Sequence, residues 1–120
     1  MPPGSRIILV STSVCVNSMV TPTYLLYAAT KGAIEQMTRV LAKDVGRKQI
    51  LVNAIAPGPT GSELFYKGKS EQLLEMIRGW SPFHRIGEPE EMADLIAFLA
   101  GKDSKWVSGQ IIRANGASMV

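Results

Sequence analysis

Ile50-Leu51-Val52-Asn53-Ala54-Ile55-Ala56, closed by Pro57-Gly58-Pro59-Thr60-Gly61, is the stretch on which the fold turns. The run is aliphatic almost throughout and of strand length. A strand with one wet face would alternate apolar and polar residues; this one does not, so it reads as buried on both faces, as in a parallel sheet. The Pro/Gly cluster then breaks it sharply. Upstream, Arg6-Ile7-Ile8-Leu9-Val10-Ser11-Thr12 has the same character and reads as a second such strand. Downstream, Gln110-Ile111-Ile112-Arg113 is a third, short one.

Helical signals fill the gaps. After a polar stretch from Ser13 to Thr21, Thr21 suits an N-cap and Pro22 the first helical position. That helix is expected to reach about Val45, with Gly46 as its stop and Ile34, Met37, Leu41 and Val45 as its buried stripe. Ala28, Ala29, Gly32 and Ala33 keep part of it small, allowing close approach of a neighbouring backbone or ligand. Ser70 can cap a short helix to about Arg78, and Gly79 to Gly87 reads as loop. Glu88-Pro89-Glu90-Glu91 opens another helix, with Met92, Leu95, Ile96 and Leu99 at i, i+3, i+4, i+7 and Gly101 at its end. The order β-α-β-α-α-β predicts an α/β fold, three parallel strands with flanking helices and right-handed crossovers. Ligands on such sheets sit beyond the carboxyl ends of the strands. Ser11 to Ser13, Pro57 to Ser62 and Asn115-Gly116 fall there.

Composition narrows the function. The 120 residues fit one domain, and 46% hydrophobic content is ordinary for a globular chain. No apolar run approaches the roughly 20 residues of a membrane helix, and the N-terminus lacks a signal peptide's apolar region, so a soluble, cytoplasmic protein is expected. The net charge of +3 is mild. Its densest cluster, Arg39, Lys43, Arg47 and Lys48, lies around a helix end without interleaved aromatics, which argues against nucleic acid as a partner. A single cysteine, Cys15, forbids an intrachain disulfide, and with a single histidine, His84, no metal site is expected.

Tyr27 and Lys31 are the chemistry-bearing pair. In Tyr27-Ala28-Ala29-Thr30-Lys31 they are four residues apart, on one face of the helix and one turn from each other. A cation so placed favours the phenolate form of a phenol. That is how a tyrosine is fitted to exchange a proton near neutral pH. Tyr24 lacks such a partner, because residue 28 is alanine.

Taken together, Ser13, Tyr27-Ala28-Ala29-Thr30-Lys31, Val52-Asn53-Ala54-Ile55-Ala56-Pro57-Gly58 and Val107-Ser108-Gly109-Gln110 resemble the C-terminal half of a classical short-chain dehydrogenase/reductase. The resemblance covers nearly all of the chain. Its flavour is that of fungal ketoreductases of the polyhydroxynaphthalene-reductase and 3-oxoacyl-carrier-protein-reductase type. It implies the C-terminal part of a doubly wound, Rossmann-type parallel sheet. It also implies NAD(P)-dependent reduction of a ketone, or oxidation of an alcohol, by hydride transfer.

Roles follow residue by residue from the same resemblance. Ser13 would hydrogen-bond the substrate oxygen, with Ser11 and Thr12 as near alternatives. Tyr27 would be the general acid/base. Lys31 would tune Tyr27 and hold the nicotinamide ribose. Pro57 and Gly58 would form the nicotinamide-side turn. Ser62, with Thr60 able to share the task, would touch the cofactor pyrophosphate. Asn53 reads as structural, because the family's catalytic asparagine lies on an earlier helix. NADP is the expected cofactor, NAD the other choice. Cys15, Asn17, Leu64, Phe65 and Trp80 are candidates for lining a substrate pocket. Leu64, Phe65, Leu73, Leu74, Met76 and Trp80 lean it toward an apolar or aromatic carbonyl compound.

The chain also departs from the family pattern. It contains no glycine-rich phosphate-binding turn and no residue that would read the ribose 2′-position, so residues 1–120 are expected to be a partial NAD(P)-binding domain lacking the cofactor-phosphate half. The strand at Arg6 would then expose an apolar edge that invites pairing. Two expectations follow. Alone, the chain should bind NAD(P)H weakly and turn over slowly or not at all. Alternatively, it is a catalytically silent fragment that associates with full-length relatives or with itself, through that edge and the Tyr27 helix.

Overall fold

The β-branched and aliphatic run at residue 50 becomes the central strand because it alone finds partners on both sides. In the computed structural model, which describes residues 1–120, β1 (Arg6–Val10), β2 (Leu51–Pro57) and β3 (Ile111–Ala114) form one parallel sheet in the order β1-β2-β3. Arg6 pairs with Leu51 and Val10 with Ile55; Ala54 pairs with Ile111 and Pro57 with Ala114. Proline at the end of β2 is tolerated because it has no N–H to leave unpaired. Between β1 and β2 runs α1 (Leu25–Gly46). Beyond β2 come α2 (Glu63–Tyr66), α3 (Glu71–Arg78) and α4 (Pro89–Ala100). Helix α1 lies against β1 and β2, whereas α4 touches all three strands.

Burial is concentrated on β2, where Val52 to Ala56 are all buried, and at Leu99 of α4, which is fully buried. A second cluster, Leu74, Ile77 and Ile86, packs with Phe65 and Leu73 beneath α3. Asn53 is the polar exception within β2. Its amide donates to the Val107 carbonyl at 2.8 Å and accepts from the Gln110 N–H at 3.1 Å. The side chain therefore ties β2 to the segment leading into β3, a structural role.

Several sequence expectations are corrected. The first strand is not buried on both faces: Arg6 to Leu9 are only half-buried and Val10 is exposed. It is the edge strand that the exposed apolar edge expected at Arg6 implies, paired only with β2. It also stops at Val10, because Thr12 leaves the ladder to cap a 3₁₀ turn over Ser13–Val16. Thr21 does not cap the long helix. Its hydroxyl meets that of Thr23 at 2.7 Å, and Pro22–Tyr24 forms one 3₁₀ turn before α1 begins at Leu25. Met37 is exposed; the buried face of α1 carries Glu35 and Thr38, flanked by Ile34, Leu41 and Val45. Gly46 is the last helical residue rather than a stop, and the left-handed position falls on Gln49. Helix α2 was not foreseen: Ser62 accepts from the Phe65 N–H and starts it.

Helix α4 is fixed at its start by a capping box, in which the Glu91 carboxylate accepts from the Glu88 N–H at 2.8 Å. The same carboxylate takes two bonds from Arg85, at 2.6 and 2.7 Å. Arg85, and then the Glu88 N–H, pull the Glu91 carboxyl from 4.5 down to about 2. A depressed folded value means the contribution is present above 4.5 and is lost as pH falls toward about 2. Solvent screens this exposed pair, so the expected result is local. The Glu88 amide resonance should move through acid pH with a midpoint near 2; a midpoint near 4.5 would contradict the cap.

Candidate active site

The carboxyl ends of β1 and β2 open onto a cleft of about 310 Å³. Ser13, Tyr27, Pro57 and Gly58 line it, with Thr12, Tyr24, Phe65 and Trp80 among its other walls. Residues 14, 30 and 31 positions apart along the chain from Ser13 or Tyr27 thus meet at one opening, because a parallel sheet brings successive strand ends to the same rim.

Ser13 is fully buried against the cleft floor, yet faces it. Its hydroxyl donates to the Ala56 carbonyl at 2.8 Å and accepts from the Asn115 amide at 3.1 Å. Of the two alternatives, Thr12 also lines the cleft and Ser11 does not. The Ser11 hydroxyl donates toward the Lys31 carbonyl and Glu35, at 3.3 and 3.1 Å, and joins β1 to α1. The Thr12 hydroxyl accepts from the Val14 N–H. Tyr27 stands on the first turn of α1, 43% exposed, and no group of the chain takes its hydroxyl. Its ring meets Tyr24 edge to face, with centroids 6.1 Å apart. Lys31, one turn on, places its ammonium 5.9 Å from the Tyr27 ring centroid. That ammonium donates to the Val10 carbonyl at 2.9 Å, and its other two donors have no partner in the chain.

Pro57 and Gly58 continue β2 into the cleft, but glycine is required here for a different reason than expected. A Cβ on Gly58 would lie 2.6 Å from the Asn115 Cβ and 2.8 Å from its Cα. Close packing of the ends of β2 and β3 demands the glycine before any ligand does. Thr60 and Ser62 lie outside the cleft. The Thr60 hydroxyl donates to the Gly58 carbonyl at 3.0 Å, while backbone bonds tie its turn to Gly87. The Ser62 oxygen accepts from Phe65, which leaves its proton free to donate.

Of the residues considered for a substrate pocket, Phe65 and Trp80 reach the cleft. Trp80, with Asn17 and Met76, also lines an adjoining cleft of about 620 Å³ that shares Val14, Tyr24 and Met119 with the first. Leu64 is exposed on α2 and reaches neither. Cys15 turns toward the Ala28 carbonyl of α1, 3.8 Å away, and Leu73 and Leu74 belong to the core beneath α3. Asn115 and Met119 were missed as site residues. The only signal for Asn115 was its place just after the last strand, on the ligand-facing rim.

Known proteins share this fold. The family model described as Enoyl-(Acyl carrier protein) reductase matches residues 1–117. The chain belongs to the short-chain dehydrogenase/reductase family. A short-chain type dehydrogenase/reductase of Picea abies is 42% identical over 97% of this chain and 42% of its own length. An NADPH-dependent aldehyde reductase 2, chloroplastic, of Arabidopsis thaliana is 41% identical over 98% of this chain and 42% of its own. Among solved structures, an angucycline C-6 ketoreductase with bound NADP matches with a TM-score of 0.86 and 37% identity, over 98% of this chain and 45% of that one. The chain therefore spans less than half the length of the curated relatives it matches. No helix is long and apolar enough to cross a membrane.

Proposed function

We propose that the chain carries the proton-transfer and nicotinamide-side part of an NAD(P)-dependent short-chain oxidoreductase, acting on a ketone or the corresponding alcohol. The observation that carries this reading is the cleft that brings a hydrogen-bonded serine, an unpartnered tyrosine hydroxyl and the Pro57–Gly58 turn together, with the Lys31 ammonium beside the tyrosine ring.

The donor set fits the nicotinamide–ribose end of the cofactor. Tyr27 offers a free hydroxyl, and Lys31 two uncommitted N–H donors, for ribose oxygens. Pro57 and Gly58 form the wall a flat ring can lie against. A cleft of about 310 Å³ is near the lower end of ligand sites, room for a ring and a small carbonyl but not for a whole dinucleotide. The free Ser62 proton, with Thr60 beside it, can serve one phosphate oxygen. NADP is preferred over NAD because the relatives named for a cofactor use NADPH or hold NADP.

When bound, a nicotinamide cofactor would supply the hydride that the carbonyl carbon receives. The chain's residues act on the oxygen. Ser13 holds it by a hydrogen bond, and Tyr27 gives it the phenolic proton, so that C=O becomes CH–OH; in oxidation Tyr27 takes that proton back. Lys31 stabilises the tyrosinate left behind. Apolar walls from Tyr24, Phe65, Trp80 and Met76 favour an aromatic or otherwise apolar carbonyl compound.

A second reading is favoured by the surface. The chain exposes 7822 Å², about 1,500 Å² more than a compact chain of 13.0 kDa. Its radius of gyration, 15.6 Å, exceeds the roughly 13.6 Å expected. With β1 an open edge, residues 1–120 could act by association with a second copy or a full-length relative. One experiment separates the two. Fluorescence titration of residues 1–120 with NADPH should give an affinity weaker than micromolar, with slow turnover of 2-tetralone at saturating NADPH. Micromolar binding would show that the phosphate half is not needed. Absence of turnover, with light scattering above 13.0 kDa, would favour association over catalysis.

A further inference from the structure

We propose that Asn115 is the positioning residue for Ser13: it fixes the serine oxygen at the cleft while leaving the hydroxyl proton free to pass from the Ala56 carbonyl to a ligand oxygen. The inference rests on the reading of Ser13 as the group that holds a substrate oxygen.

The amide's orientation is set by two backbone partners. The Ala117 N–H must be accepted by Oδ1, at 3.1 Å, and the Met119 carbonyl must be served by Nδ2, at 2.8 Å. Flipping the amide would lose both bonds. Nδ2 therefore faces Ser13, and its second hydrogen donates to the serine oxygen at 3.1 Å. Packing holds the rest of Asn115 in place. The Gly58 N–H donates to the Ala114 carbonyl at 3.0 Å, and a Cβ on Gly58 would strike the Asn115 Cβ and Cα.

A hydroxyl has one proton and two acceptor positions. Asn115 takes one acceptor position on Ser13, so the serine proton must point elsewhere. In this structure it points to the Ala56 carbonyl, at 2.8 Å. A ketone oxygen entering the cleft competes for that proton. Both acceptors are neutral carbonyls, so the two bonds are of similar strength. Only rotation about the Cβ–Oγ bond is needed, because the oxygen stays pinned whichever way the proton points. Donation from Asn115 also polarises the O–H and strengthens what it donates in turn.

The test reads the hydrogen bond and the chemistry separately. In ¹⁵N-labelled residues 1–120, Ser13→Ala should shift one Asn115 side-chain amide proton and speed its exchange, while the proton bonded to Met119 stays. Unmoved Asn115 resonances in a spectrum that remains dispersed would overturn the proposal. In turnover of 2-tetralone with NADPH varied up to saturation, Asn115→Ala should lower kcat about fivefold to tenfold, the loss of one hydrogen bond, with the KM for NADPH unchanged. A KM rise with kcat intact would also overturn it, since that is what a merely structural wall would do. If the unmutated chain shows no turnover, association is favoured over catalysis by residues 1–120, and the Asn115 resonances alone decide this proposal.

Discussion

Replacing Tyr27 by phenylalanine is expected to lower turnover of NADPH and 2-tetralone by about 10²- to 10⁴-fold, the usual contribution of a positioned general acid. The substitution removes only the hydroxyl, which no group of the chain holds. The ring, its edge-to-face contact with Tyr24 and its wall of the cleft remain. Tyr27 is also 43% exposed, so stability should change by less than about 0.5 kcal/mol. Loss of rate without loss of fold therefore reports the proton transfer itself. The measurement is the decay of reduced-nicotinamide absorbance, with thermal unfolding as the control. A variant that keeps its rate would end the assignment of Tyr27, because nothing else in the cleft offers a free phenol one turn from an ammonium.

Asn53→Ala is expected to destabilise the fold by about 2–5 kcal/mol. The side chain is 1% exposed and serves two backbone groups, the Val107 carbonyl and the Gln110 N–H. Each buried group left without its partner costs about 1–3 kcal/mol. The truncation also leaves a small cavity beside β2. Against a typical total of about 5–15 kcal/mol, the loss is large. It should appear as a lower urea midpoint and as faster amide exchange from Gln110 through Ala114, the segment Asn53 holds in register. A change below about 1 kcal/mol would mean that water replaces the lost bonds.

The residues of β2 and α4 announced their elements because local chemistry and tertiary environment agree there. Val52 to Ala56 are apolar and lie in the middle of the sheet, and Glu88-Pro89-Glu90-Glu91 carries its own cap within one turn. Arg6–Val10 is just as apolar, but it takes the edge position expected of it, and with one neighbouring strand it is only half-buried. Thr21 and Met37 did not follow expectation. The Thr21 hydroxyl found a side-chain partner instead of a backbone one, and Met37 sits beside the stripe that meets the sheet. Phe65 and Trp80 reach the cleft, whereas Leu64, equally apolar and adjacent in sequence, turns to solvent on α2.

The amino-acid sequence by itself determined the parallel α/β fold, the Tyr27–Lys31 pair on one helical face and the rim where ligands would sit. Each of these follows from periodicity and spacing within a few turns of chain. Only the tertiary structure decided that Ser13 and Thr12, but not Ser11, line the cleft, that Thr60 and Ser62 lie beyond it, and that Asn115 bonds Ser13 from behind. Those outcomes depend on which hydrogen-bond partner each short polar side chain meets, and the partners come from strands and turns up to 102 positions away.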